Sequence, residues 1–278
     1  MSARRGLSGP IYLGYRGEDH DAPCSAFYQP QMAPLSDAVL RPLNLGAQPA
    51  ELFGALRDAP SMLEEGYGPS ETGYAIGRDG EIRVAVLTPM PGVTPEMWDW
   101  WFGWHGSDSL RYKLWHPRAH LRAAWADDDR GRRGRQRYVG RTSYVDEYIG
   151  STLTRVAIRF LPPGELGFGG PGLEDPRRET VICARVGPRR QPLDIGYLVH
   201  HVRRTPDGAE MRSRFWLGGE HISARTSSPL AATVLSRVAG FVVRPTARAA
   251  SELLVHCAQE MAHLAGFLQR LHAAFEDS

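Results

Sequence analysis

Residues 246–275 constrain the fold most. They contain no proline and a single glycine, Gly266. Leu253, Cys257, Leu264, Leu268 and Leu271 recur at helical spacing, which predicts one long amphipathic helix closing the chain. His256 and Glu260 lie four residues apart on the edge of that apolar stripe, so their side chains stack one turn above the other. An imidazole and a carboxylate so placed fit two roles, a surface ion pair or half of a metal site. The helix must bury its stripe against another layer, and the rest of the chain supplies that layer.

Upstream the pattern is mainly of strands. Residues 72–77 and 81–88 read as a hairpin about the Asp79-Gly80 turn, with Ile82, Val84 and Val86 alternating. Further strands are expected over 121–125, 143–150, 153–161, 179–186, 194–203 and 210–216. The last two are joined by a Pro206-Asp207-Gly208 turn. A helix should start at Thr94, with Thr94 as N-cap and Pro95 at its first position. Residues 110–120 are expected to be extended, because Pro117 keeps His116 out of the helical region. Residues 235–243 are ambiguous. The layout is α+β, with a curved antiparallel sheet that can grip the last helix and leave a cavity against it. Residues 1–68, rich in Pro, Gly and Ala, read as an extension that wraps the main domain or joins a homodimer contact.

Composition excludes several functions. The formal charge is +2 with mixed signs, which is no electrostatic footprint for nucleic acid or an anionic membrane. The basic run 130–137 follows three aspartates, 127–129, and reads as a loop that balances its own charge. Neither an apolar run long enough to span a membrane nor a signal peptide is evident. Three widely spaced cysteines, Cys24, Cys183 and Cys257, suggest a reducing compartment, so the expected location is the cytoplasm.

Glu147 sits in a strand-like stretch between Tyr144 and Tyr148, a poor place for a purely solvated carboxylate. His116 and His120 lie just upstream. With His256 and Glu260 they make a set of His and Glu donors that suits zinc best. Either His116 or His120 can complete the set. His200 and His201, adjacent in a strand, point to opposite faces, so only one can reach the cavity. His105, His221, His263 and His272 read as packing or surface residues.

Four stretches in order, MWDWWFGWH (97–105), RYKLWHPRAH (111–120), VDEYIG (145–150) and HxxxE (256–260), resemble the 2,4-diacetylphloroglucinol hydrolase and phloretin hydrolase family. The resemblance covers roughly residues 67–270. It implies a Bet v 1-like helix-grip fold over 69–278 behind the 1–68 extension. It also implies a zinc ion held by His120, Glu147, His256 and Glu260. The implied reaction is hydrolysis of the carbon–carbon bond between an acyl carbonyl and a phenolic ring, on a small aromatic ketone. By the same resemblance Tyr112 and His201 hold the phenol and move a proton, while Trp101 and Trp104 stack on the ring and His116 sits against the substrate. Simple core packing is the competing role for the two tryptophans. The competing functions are a different metal-dependent hydrolase on the same fold and a non-catalytic carrier of aromatic ligands.

Overall fold

A computed structural model of the protein describes residues 11–277 apart from Arg78, 128–130, 227, 229, 232, 234, 235 and 237–245. The ambiguous stretch 235–243, Ser236 excepted, and part of the 127–137 charged loop therefore lie outside the described residues. At the described end of that loop, Arg132 pairs with Asp127 at 2.6 Å.

Alternating apolar residues build the main sheet. Its strands are β1 (Gly73–Ile76), β2 (Ile82–Pro91), β3 (His120–Trp125), β4 (Thr142–Ile149), β5 (Thr152–Leu161) and β6 (Glu179–Pro188), followed by β8 (Gly196–Thr205) and β9 (Gly208–Leu217). Short β7 (Leu193–Asp194) and β10 (Ser223–Ala224) pair separately. The eight strands run in the order β1-β2-β9-β8-β6-β5-β4-β3, and every pairing is antiparallel. The chain is thus a mixed α/β protein with one large antiparallel sheet.

Five α-helices accompany it among the described residues: α1 (Asp37–Leu45), α2 (Pro95–Trp104), α3 (Ser109–Trp115), α4 (Ala247–Ala265) and α5 (Leu268–Phe275). Thr246 caps α4 by accepting a hydrogen bond from the Ala249 N–H. Ala250, Leu254, Cys257, Met261 and Leu264 form its buried stripe. It packs mainly on β2 and β1, and also touches β4 and α3.

Two expectations are corrected here. Residues 246–275 form two helices rather than one: at Phe267 the backbone leaves the helical region (φ −140°, ψ −1°) before α5 begins. Residues 109–115 are helical rather than extended. Asp108 accepts from the Leu110 N–H and starts α3, and Pro117 restricts only its immediate neighbour, His116 (φ −144°, ψ 83°).

The sheet has two covered faces. Ile82, Val84, Val86, Leu198 and Val202 belong to the core shared with α2 and α4. On the opposite face, Val181, Val199 and Trp216 pack against Ala59 and Met62 from the N-terminal segment. Two arginines tie that segment down: the buried Arg212 donates to the Met62 carbonyl at 2.7 Å and the partly buried Arg83 to the Gly54 carbonyl at 2.9 Å. Farther upstream, Tyr15 donates to the Leu110 carbonyl (2.8 Å), and Lys113 of α3 donates to the Gly14 carbonyl (2.9 Å).

Candidate metal centre

A cavity of about 690 Å³ lies between the sheet and α4. Along its wall, Leu253, His256 and Glu260 follow one another at i, i+3 and i+7 on the inward face of α4. Glu147 approaches from β4, directly opposite His120 at the start of β3.

The orientation of His120 depends on an irregularity. Ala123 pairs with Val145 and Arg122 with Asp146, yet His120 pairs with Glu147, leaving Leu121 as an extra residue. Regular alternation back from Ala123 would point Leu121 toward the cavity side and His120 away from it. The bulge reverses this and turns His120 inward.

The donor atoms converge. His120 Nε2 lies 3.5 Å from Glu147 Oε2 and 3.4 Å from Glu260 Oε2. His256 Nε2 lies 3.8 Å and 3.6 Å from the same two oxygens. Ligand atoms of His120, His256 and Glu260 all fall within 4.8 Å of one another. His120 is fully buried, and its ring lies flat on Tyr112 with centroids 3.8 Å apart. Its Nδ1 donates to the Tyr112 carbonyl at 3.0 Å, which leaves Nε2 as a lone pair facing the carboxylates. That Nε2 has no hydrogen-bond partner. A buried imidazole nitrogen left without a partner is costly unless something else binds it.

Burial dominates the electrostatics. It pushes the His120 imidazole well below its ordinary pKa, with His256 and His116 adding to the effect, and lowers His256 to about 3. It raises Glu260 well above the carboxylate range, with Glu147 adding to it. Glu147 is raised to about 7, chiefly by burial, against the opposing hydrogen bond from Tyr112. Left alone, this cluster therefore favours neutral imidazoles and protonated carboxyls. Two neutral imidazoles and two carboxylates fit a divalent cation of zinc type, which supplies the positive charge the cluster lacks.

Tyr112 donates its hydroxyl to Glu147 Oε2 at 2.5 Å and lines the cavity. His116 does not line it. Its ring stacks on His256 (4.9 Å) and faces a second cavity of about 360 Å³ beside Arg118 and Gln259.

Three of the expected substrate contacts are corrected. His201 lies on the outer face of the sheet, where its Nε2 meets Glu179 Oε2 at 3.0 Å. The histidine that reaches the cavity is His200, whose Nδ1 meets Ser213 Oγ at 2.8 Å. Trp101 and Trp104 are fully buried and line no part of the cavity. Trp101 stacks on His105 and Trp104 on Trp100, both at 4.9 Å. The aromatic wall comes instead from Phe102, Trp115, Phe160 and Phe215, together with His105, which the sequence reading treated as packing. No sequence signal marks His105: it follows Trp101, which lines no part of the cavity, by one helical turn, and its Nδ1 meets the Trp101 carbonyl at 2.8 Å.

The described residues contain no helix long and apolar enough to cross a membrane. Residues 52–273 match the family model described as the DAPG hydrolase PhiG domain. The chain is 28% identical over 273 residues to 2,4-diacetylphloroglucinol hydrolase of Pseudomonas protegens, covering 95% of this chain and 88% of that one. It is also 28% identical over 215 residues to phloretin hydrolase of Eubacterium ramulus, covering 75% and 77%. Among solved structures, Ara h 8.0201 aligns over 66% of this chain and 97% of its own at 10% identity and a TM-score of 0.34, an overlap too small to argue from. With the family model spanning 52–273, the chain belongs to the DAPG hydrolase family.

Proposed function

We propose that the protein is a zinc-dependent hydrolase that cleaves the carbon–carbon bond between an acyl carbonyl and a phenolic ring. The products are a carboxylic acid and a phenol, and the partner is a small aromatic ketone. One observation carries the reading: four His and Glu donors converge at a largely apolar cavity, Glu147, His256 and Glu260 in its wall and His120 buried behind them, with the Tyr112 hydroxyl against one of them. The names of the relatives, which are hydrolases of acylated phenols, agree with it. We read the fold as a Bet v 1-like helix grip, supported by the contacts of α4 with both the β1–β2 and the β4 regions of one sheet. Residues 1–68 are then an extension, its described part from residue 11 onward bracing the catalytic unit 69–278. The three free cysteines agree with a cytoplasmic setting.

In this reading His120, Glu147, His256 and Glu260 hold the zinc, which when bound supplies Lewis acidity toward the acyl carbonyl and water. The chain's own groups do the rest. An ortho hydroxyl lets the ring adopt a keto form, so that the ring carbon leaves as part of an enolate-like phenolate and not as an aryl carbanion. The ring carbon that bears the acyl group takes up a proton as the keto form arises; water adds its oxygen to the acyl carbon, the aryl–acyl bond breaks with its electron pair passing to the ring oxygen, and the ring keeps that proton. Tyr112, which lines the cavity against Glu147, holds the phenol and delivers that proton in this reading. The apolar wall excludes bulk water and strengthens each polar contact.

The decisive experiment compares a free 2-hydroxyaryl ketone with its fully methylated ether on the zinc-loaded protein. The free phenol should be cleaved and the ether should be inert even when bound. Equal turnover of the two would rule the mechanism out. Zinc-dependent ester cleavage with no acylphenol turnover would point to a generic hydrolase, and absence of stoichiometric metal would favour a carrier.

A further inference from the structure

The cavity is divided by residue type. One end is aromatic and buried: the Phe102 ring meets Trp115 at 5.6 Å, Phe160 at 5.8 Å and His200 at 5.9 Å between centroids. The other end is aliphatic. Ile158 of β5 stands opposite Val186 of β6, and the same row continues through Gly196 of β8 to Leu217 of β9 and Ile82 of β2. Leu253 of α4 and Val156 of β5 join it.

The two ends also differ in exposure. Phe102, Trp115, Phe160 and Phe215 are buried, whereas Val156, Ile158, Val186, Leu217 and Leu253 are only partly so; Ile82, at the far end of the aliphatic row, is buried. The aliphatic end is thus the mouth. At its rim stand Thr152 and Arg155, both exposed. The four-donor cluster connects to both ends. Tyr112, in contact with Glu147, packs against His105 of the aromatic end, and Leu253 precedes His256 by one turn on the aliphatic side.

A bond cleaved at that cluster has its ring in one compartment and its acyl chain in the other. Aromatic walls favour a planar ring through stacked and edge contacts. An open aliphatic row offers nothing to a short acetyl group but buries a flexible hydrocarbon chain. Resting on the hydrolase reading, we propose that the substrates are phenyl ketones with a long apolar acyl chain. The ring sits against Phe102 and Trp115, and the chain runs along Ile158, Val186 and Leu217 to the mouth.

The test is a series of 2-hydroxyphenyl alkyl ketones, from acetyl through butanoyl and hexanoyl to octanoyl. Calorimetric affinity for the zinc-loaded protein and kcat/KM are measured for each. Affinity should tighten with each added methylene, by about fourfold at most, the factor that corresponds to complete burial of one CH₂, and by less toward the open mouth. It should level off once the chain passes Thr152 and Arg155. Val186→Trp, which narrows the mouth, should collapse the octanoyl-to-acetyl affinity ratio, and Leu217→Ala should lower it several-fold. Acetyl and octanoyl ketones that bind alike overturn the proposal even if both are cleaved. A chain-length slope without cleavage keeps the chain site and removes the hydrolase reading. Failure of the whole series to bind overturns both.

Discussion

Tyr112→Phe removes one oxygen from the centre of the site. That oxygen donates to Glu147 at 2.5 Å from a side chain only 2% exposed, so the bond is buried and, when Glu147 is ionised, charge-assisted. Such bonds contribute about 1.5–3 kcal/mol. Two consequences follow, and their magnitudes separate them. Losing the contact that orients a ligating carboxylate weakens metal binding about 10- to 100-fold. Glu147, already raised to about 7, also loses the hydrogen bond that lowers it, so its carboxyl holds a proton to still higher pH and the metal competes less well near neutrality. Excess zinc restores both of these losses. Losing a general acid lowers kcat about 10²- to 10⁴-fold, and zinc cannot restore that. The assay is kcat and KM on a free 2-hydroxyaryl ketone across a zinc titration. We expect kcat to remain at least about a hundredfold down at saturating zinc, with KM changing less than about tenfold. Recovery of kcat to near the wild-type value would refute the proton-delivery role and leave Tyr112 as a ligand-positioning residue.

Glu260→Ala and His120→Ala should each lose zinc on purification while His116→Ala keeps most of it, as read by metal analysis. Full zinc in Glu260→Ala would sink the assignment. His201→Ala should leave turnover within a few-fold and cost about 1 kcal/mol of stability through the lost Glu179 contact; a hundredfold loss of kcat at unchanged stability would return His201 to the reaction. Burial depresses Lys113 to about 8 from 10.5, so the unfolded chain binds more protons between those values and stability rises with pH across that window, by at most about 3 kcal/mol. The melting temperature should therefore climb from pH 8 to 10 relative to Lys113→Met, and parallel curves for the two proteins would contradict this.

The sheet was legible because its strands alternate cleanly, as in β2, where Ile82, Val84 and Val86 all face the shared core. The break between α4 and α5 was not, since the apolar spacing runs on through Gly266 while only the backbone at Phe267 departs. α3 was hidden because Pro117 suggests extended backbone before it, whereas a proline restricts only the residue it follows. The two-His, two-Glu set could be read as types of donor, but which upstream histidine turns inward depends on the extra residue at Leu121, and a bulge has no signature in periodicity. Choosing between His200 and His201 failed for a related reason. β8 is apolar on both faces, with Leu198 and Val202 on one and Val199 on the other, so alternation alone could not say which face holds the cavity.

The spread of the four donors along the chain has a consequence for biogenesis. His120 and Glu260 are 140 residues apart. During synthesis the sheet edge carrying His120 and Glu147 emerges long before α4 does. A metal ion reaching the nascent chain would find one imidazole and one carboxylate, a weak purchase. Joining the early pair to the late one closes a loop whose entropy costs on the order of 4 kcal/mol. On the proposed zinc reading, loading would belong to a chain complete through α4, and the ion would act as a clasp joining the early donors to the late ones. A product truncated before α4 would keep most of its strands, lack half its donors, and remain both metal-free and open to proteolysis.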